Sequence, residues 1–133
     1  MQTFLPVESF VESAKILDYR RLGKQRVEAK QILSALRDGT GWKNHPATKM
    51  WAGYEPALTF YMNTMIEEWI GRGYKNTMLI DWDIDCKIRY PHWFGGEIHS
   101  THRSALLHKD ITFYSRYGWD EPAKLAYHWP EPL

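Results

Sequence analysis

Residues 20 to 30 carry Arg20, Arg21, Lys24, Arg26 and Lys30, five cations in eleven positions of a stretch, LDYRRLGKQRVEAKQIL, that still reads as a helix. Lysine and arginine along one helix edge supply the sequence-independent part of affinity for a phosphate backbone. At about 100° per residue, Arg20, Lys24 and Gln31 lie together with Arg21 and Glu28 beside them, and Leu22, Ala29, Ile32, Leu33 and Leu36 share the opposite arc. Glu28 is the only acid between residues 19 and 37, so pairing such as Lys24 with Glu28 leaves most of the cations unmatched. The plain alternative is a solvated charged face.

Other reactive side chains point less clearly to chemistry. His92, His99 and His102 invite a metal reading, but no HExxH pattern accompanies them, and a lone i, i+3 pair is common by chance. The Asp81, Asp83, Asp85 series begins like a calcium loop, yet it lacks the glycine at the sixth position, and His92 stands where the closing glutamate belongs. No metal is expected. Cys86 falls among alternating apolar residues and reads as a buried thiol. Phe113, Tyr114, Tyr117 and Trp119 suit either base stacking or closure of a helical core.

The chain has 133 residues and a formal net charge of +1, so any basic footprint is local. The length suits one domain, 1–133. One cysteine excludes a disulfide framework and suits the cytoplasm. No apolar run approaches the roughly 18 residues of a membrane span, and MQTFLPVESF lacks the basic and apolar regions of a secretory leader. A cytoplasmic monomer is the expectation.

The elements that must position these residues are mostly helical. VESFVESAKIL is amphipathic and either forms a helix or leads into the next one. Asp18 is the expected N-cap of a helix running to about Leu36, before Asp38-Gly39. Gly23 inside it costs about 1 kcal/mol relative to alanine, and close approach of a partner backbone would justify it. From Ala47, apolar residues recur at spacings of three and four through Trp69, with a break or kink expected between Gly53 and Pro56 and an end at Gly71-Arg72-Gly73. Residues 80 to 90 alternate as a strand would, although with no evident partner an extended loop or small hairpin fits equally. A third helix is expected over 98 to 109, capped by Ser100 or Thr101, followed by an irregular aromatic tail. The fold class is all-α: a compact domain of three to four helices with long loops and an aromatic C-terminal segment.

Tyr19-Arg20 with Leu22 on a basic helix, then MIEEWIGRGYKN, then KDITFYSRYGW, resembles in order the pyrimidine-dimer DNA glycosylases of the phage endonuclease V type. LGKQR, HPA, Met50-Trp51 and Gly53 to Glu55 are similar to a shorter branch found in phages and bacteria. The resemblance implies an all-α enzyme without cofactor that binds damaged double-stranded DNA, kinks it and extrudes a base, at a cost of a few kcal/mol that is lowest at a lesion. It further implies an N-terminal α-amine attacking the sugar C1′, an imine, β-elimination, and a carboxylate that stabilises the developing positive sugar. α-Amines ionise near pH 8 and are therefore partly neutral at pH 7.

Carried over by position, Arg20 matches a phosphate-gripping arginine, Phe113-Tyr114 an aromatic pair of the C-terminal segment, and His102 or Arg103 another DNA-contacting position. Arg21 stands where the family has its glutamate, and Glu28 is the only replacement on this helix. Gln2 stands where the family exposes a threonine amine, so the amine of Met1, or Lys24 with its pKa lowered by burial or by neighbouring cations, is the candidate nucleophile. Arg21, Arg26, Gln31 and His45 complete the expected nucleic-acid-binding set. The alternatives are a non-catalytic nucleic-acid-binding module on this scaffold and an enzyme acting on a modified base or nucleotide, with Arg20, Lys24, Glu28 and His45 forming the pocket.

Overall fold

The computed structural model describes residues 1–82, 88–123 and 127–131. Its helices are α1 (Phe10–Ile16), α2 (Tyr19–Asp38), α3 (Pro46–Trp51), α4 (Glu55–Gly71), α5 (Ile98–Lys109) and α6 (Ile111–Tyr114), the last continued by a 3₁₀ turn at Ser115–Tyr117. No strand occurs among the described residues. The architecture is all-α, with six helices among the described residues rather than three or four, because short α1 and α6 form where loop was an equal or preferred reading. Residues 80–82 and 88–90 carry no strand. The rest of that alternating stretch, Cys86 included, lies outside the described residues.

Local chemistry explains most boundaries. Ser9 caps α1 by accepting the Glu12 N–H at 3.1 Å. The free carbonyls at the other end of α1 are taken by Arg72, whose Nη2 donates to Ala14, Lys15 and Leu17 at 3.0, 3.1 and 2.8 Å. Gly39, at φ +67°, ends α2 in the left-handed conformation that other residues adopt at a cost. The expected break between Gly53 and Pro56 is present, with Gly53 at φ +83° separating α3 from α4.

Asp18 stands at the N-cap of α2 as expected, although it makes no side-chain cap bond. Its carboxylate is taken by the Tyr114 hydroxyl and by Arg21 at 3.2 Å. Ser100 and Thr101 lie inside α5 and donate back to the Glu97 and Ile98 carbonyls at 2.9 and 3.0 Å, so neither caps it. Gly23 is explained within the chain: a Cβ there would stand 3.0 Å from the Trp69 ring.

The core lies between α2, α4 and the segment ahead of α1, centred on Phe10, Trp51, Tyr61 and Trp93. Residues 2–6 are buried without forming a helix, so side chains must satisfy their backbone. Gln25 Oε1 accepts the Phe4 N–H at 2.8 Å. The Tyr61 hydroxyl lies 2.9 Å from both the Phe4 carbonyl and Gln25 Oε1. Trp51 Nε1 donates to Thr3 Oγ1 at 2.9 Å. His102 Nδ1 accepts the Leu5 N–H at 2.9 Å, and His99 Nδ1 lies 2.7 Å from the Leu5 carbonyl. The entry of the chain is thereby fixed along its length.

This clamp makes stability depend on pH. Burial, with His99 and His128 adding to it, lowers the His102 pKa from 6.5 to about 3. Between those values the unfolded chain binds a proton that the folded chain does not, so stability falls as pH drops through this window and is flat above about 7. The expected loss is about 4 kcal/mol by pH 3, read from denaturant midpoints at a series of pH values. His102→Asn keeps an acceptor for Leu5 and removes the titration, and its slope should be correspondingly shallower; an unchanged slope would show that His102 is not its source.

Candidate active site

A cleft of about 760 Å³ opens where the N-terminal segment meets the first turns of α2 and the α5–α6 junction. Met1 and Gln2 line one side, Arg20, Arg21, Lys24, Gln25 and Glu28 another, and Lys109, Asp110 and Phe113 the third, with Asp18, Tyr19, Phe4 and Tyr127 completing the wall. Of the candidate residues, the cleft brings together Met1, Arg20, Arg21, Lys24, Glu28 and Phe113. Arg20, Lys24 and Lys109 are exposed at its edge, as a grip on phosphate requires.

Glu28 is held rather than free. Its Oε2 accepts the Gln2 main-chain N–H at 3.0 Å and Gln25 Nε2 at 3.2 Å. The first bond fixes the second residue of the chain against the carboxylate, and the terminal amine follows one residue away. Asp18, unlike the half-buried Glu28, is a buried acid of the cleft. Burial opposes its ionisation, but the hydrogen bond from Tyr114 and the adjacent Arg21 outweigh burial and lower its pKa. Asp110 accepts the Phe113 N–H at 3.1 Å and so caps α6. Glu28 is the cleft carboxylate that directly holds the N-terminal segment.

His45 stands at the head of α3, its Nδ1 accepting the Ala47 N–H at 3.0 Å and its ring edge-on to Trp42 and Trp129. Burial and then the Met1 ammonium depress its pKa, against the opposing pull of Glu28. His45 is thus near enough to feel both groups, although it does not line the cleft.

The remaining candidates are placed elsewhere. His102 and Tyr114 are fully buried. Their polar atoms serve Leu5 and Asp18, which removes both from a surface contact. Arg103 is bound to Glu121 at 2.7 and 2.9 Å and to the Pro6 carbonyl at 2.9 Å, so its guanidinium is occupied. Arg26 lies over the Trp69 ring at 4.3 Å and donates to Asn76 at 2.6 Å, away from the cleft. Gln31 borders a second groove of about 420 Å³ on the Trp69 side of α2, shared with Tyr19, Arg20, Lys24 and Glu28.

Residues that sequence reading missed include Gln2, Gln25 and Lys109. Gln25 had a signal: it falls on the apolar arc of α2 between Leu22 and Ala29, where a polar side chain needs a buried partner. Gln2 is 5% exposed, and its Nε2 has no acceptor among the described residues, which costs about 1–3 kcal/mol.

No curated protein and no solved structure matches the chain. The family model for pyrimidine dimer DNA glycosylases matches residues 1–81, which span the N-terminal segment, α1 to α4 and every candidate group of the cleft from Met1 to Glu28. The chain belongs to the pyrimidine dimer DNA glycosylase family.

Proposed function

We propose that this protein releases the base at cyclobutane pyrimidine dimers in duplex DNA and then cleaves the strand as an abasic-site lyase, with the α-amine of Met1 as nucleophile. The observation that carries this reading is the 3.0 Å bond from the Gln2 N–H to Glu28, which sets the start of the chain beside an acid in a cleft edged by exposed cations. The neutral amine attacks C1′, forming a C–N bond as the glycosidic bond breaks and its electron pair leaves with the base. Glu28 stabilises the positive charge that develops on the sugar. The nitrogen then gives up a proton and its lone pair forms the C=N bond as the C1′–O4′ bond breaks, O4′ taking up a proton; a general base removes a C2′ proton from this imine, and the C3′–O bond breaks to expel the 3′ phosphate. Arg20 and Lys24 grip phosphates beside the lesion, and Phe113 offers a ring face to an extruded base.

Borohydride reduces such an imine to a stable secondary amine. Wild-type protein incubated with dimer-containing or abasic duplex and borohydride should give a covalent protein–DNA species, and undamaged duplex should give none. Salt-sensitive binding without any trapped species would mean a module that grips DNA without this chemistry. Thermal stabilisation by free nucleotides alone would favour an enzyme acting on small molecules.

A further inference from the structure

Gln2 holds its side-chain amide in one orientation. Oε1 accepts the Thr3 N–H at 2.8 Å, which requires oxygen at that position and leaves Nε2 as the free end. That donor is buried, has no acceptor among the described residues, and belongs to a residue lining the cleft. Buried donors are almost always paired. The bond from the Gln2 main chain to Glu28 places this residue, with its unpaired donor, beside the carboxylate assigned to the sugar.

Resting on the glycosylase reading above, we infer that Gln2 Nε2 donates a hydrogen bond to O2 of the pyrimidine being released. When the glycosidic bond breaks, the electron pair left on N1 delocalises onto O2, so this oxygen is a stronger acceptor in the transition state than in the substrate. A fixed neutral donor aimed at it therefore lowers the barrier instead of merely adding affinity. No bond to Gln2 forms or breaks. The exposed cations Arg20 and Lys24 suit phosphate oxygens, and Phe113 offers a ring face. Gln2 supplies the polar contact to the base. Nε2 is buried, so access requires the cleft wall at Gln2 to open.

The test compares rates of borohydride trapping on dimer-containing and abasic duplexes for wild type and Gln2→Met, with melting temperatures for both proteins. An abasic site has no base, so the contact acts on the first substrate only. The variant should lose about 10- to 100-fold more rate on the dimer than on the abasic duplex. Gln2→Glu keeps the acceptor for Thr3 and removes the donor, and it should show the same differential if Gln2→Met folds poorly. Equal losses on both substrates would reduce Gln2 to a positioning residue for the N-terminal segment and overturn the inference, as would no loss on either. A wild-type protein that traps neither duplex would overturn the glycosylase reading, and this inference with it.

Discussion

Glu28→Gln is expected to lower the rate of base release from dimer-containing duplex by about 100- to 1,000-fold, the usual loss when one preorganised electrostatic group is removed from a developing charge. The substitution is nearly isosteric. Both the Gln2 N–H and Gln25 Nε2 donate to the same oxygen, Oε2, and a glutamine oxygen at that place still accepts both, so stability should change by no more than about 1 kcal/mol. DNA affinity should hold or rise slightly, because a negative charge has left a cleft edged by Arg20, Arg21, Lys24 and Lys109. Retained rate in Glu28→Gln would move the assignment to Asp18, a buried carboxylate of the same cleft. A quench-flow or gel measurement of strand release, paired with a melting curve, separates these outcomes.

The second large effect is expected at Gln25, which connects the core to the cleft. Its Oε1 serves the Phe4 N–H and the Tyr61 hydroxyl, and its Nε2 serves Glu28. Gln25→Leu preserves volume and leaves the Phe4 donor and one bond of Glu28 unmatched in a buried setting. The cost should be about 2–4 kcal/mol, a fall of roughly 10 °C in melting temperature for a chain of this size. Gln31→Leu, on the exposed edge of the same helix, should stay within about 0.5 kcal/mol. Base release should fall in Gln25→Leu even well below its melting temperature, because the N-terminal segment loses a bond that holds it in register. Equal stability of the two variants would mean that the segment is held by the surrounding packing and not by this bond.

These two residues also show what a linear reading can and cannot recover. Helices α2, α3 and α4 were legible because apolar spacing, Gly39, Gly53 and Pro56 are local signals, each acting within a few residues. Glu28 was legible as the only acid on a basic helix. The burial of residues 2–6 was not, since MQTFLP has no helical period, and its partners Gln25, Tyr61, His99 and His102 are distant in sequence. Long-range hydrogen bonding to a non-repeating segment leaves no periodicity to find. The internal partners of His102, Arg103 and Tyr114 were hidden for a related reason. Residue type suggested DNA contact, whereas each is used internally, by Leu5, by Glu121 and Pro6, and by Asp18. Arg21 likewise has an internal partner, pairing with Asp18 at 3.2 Å.

The most direct measurement is to locate the trapped bond. Protein cross-linked to abasic duplex by borohydride is digested with nuclease and protease, and the peptide carrying the sugar remnant is sequenced by mass spectrometry. A remnant on the α-nitrogen of Met1, lost when that amine is blocked beforehand, is the expected result. A remnant on Lys24 or Lys109 instead would contradict the assignment of the N-terminal amine, and would recast the bond between Gln2 and Glu28 as a structural clamp beside a lysine-based site.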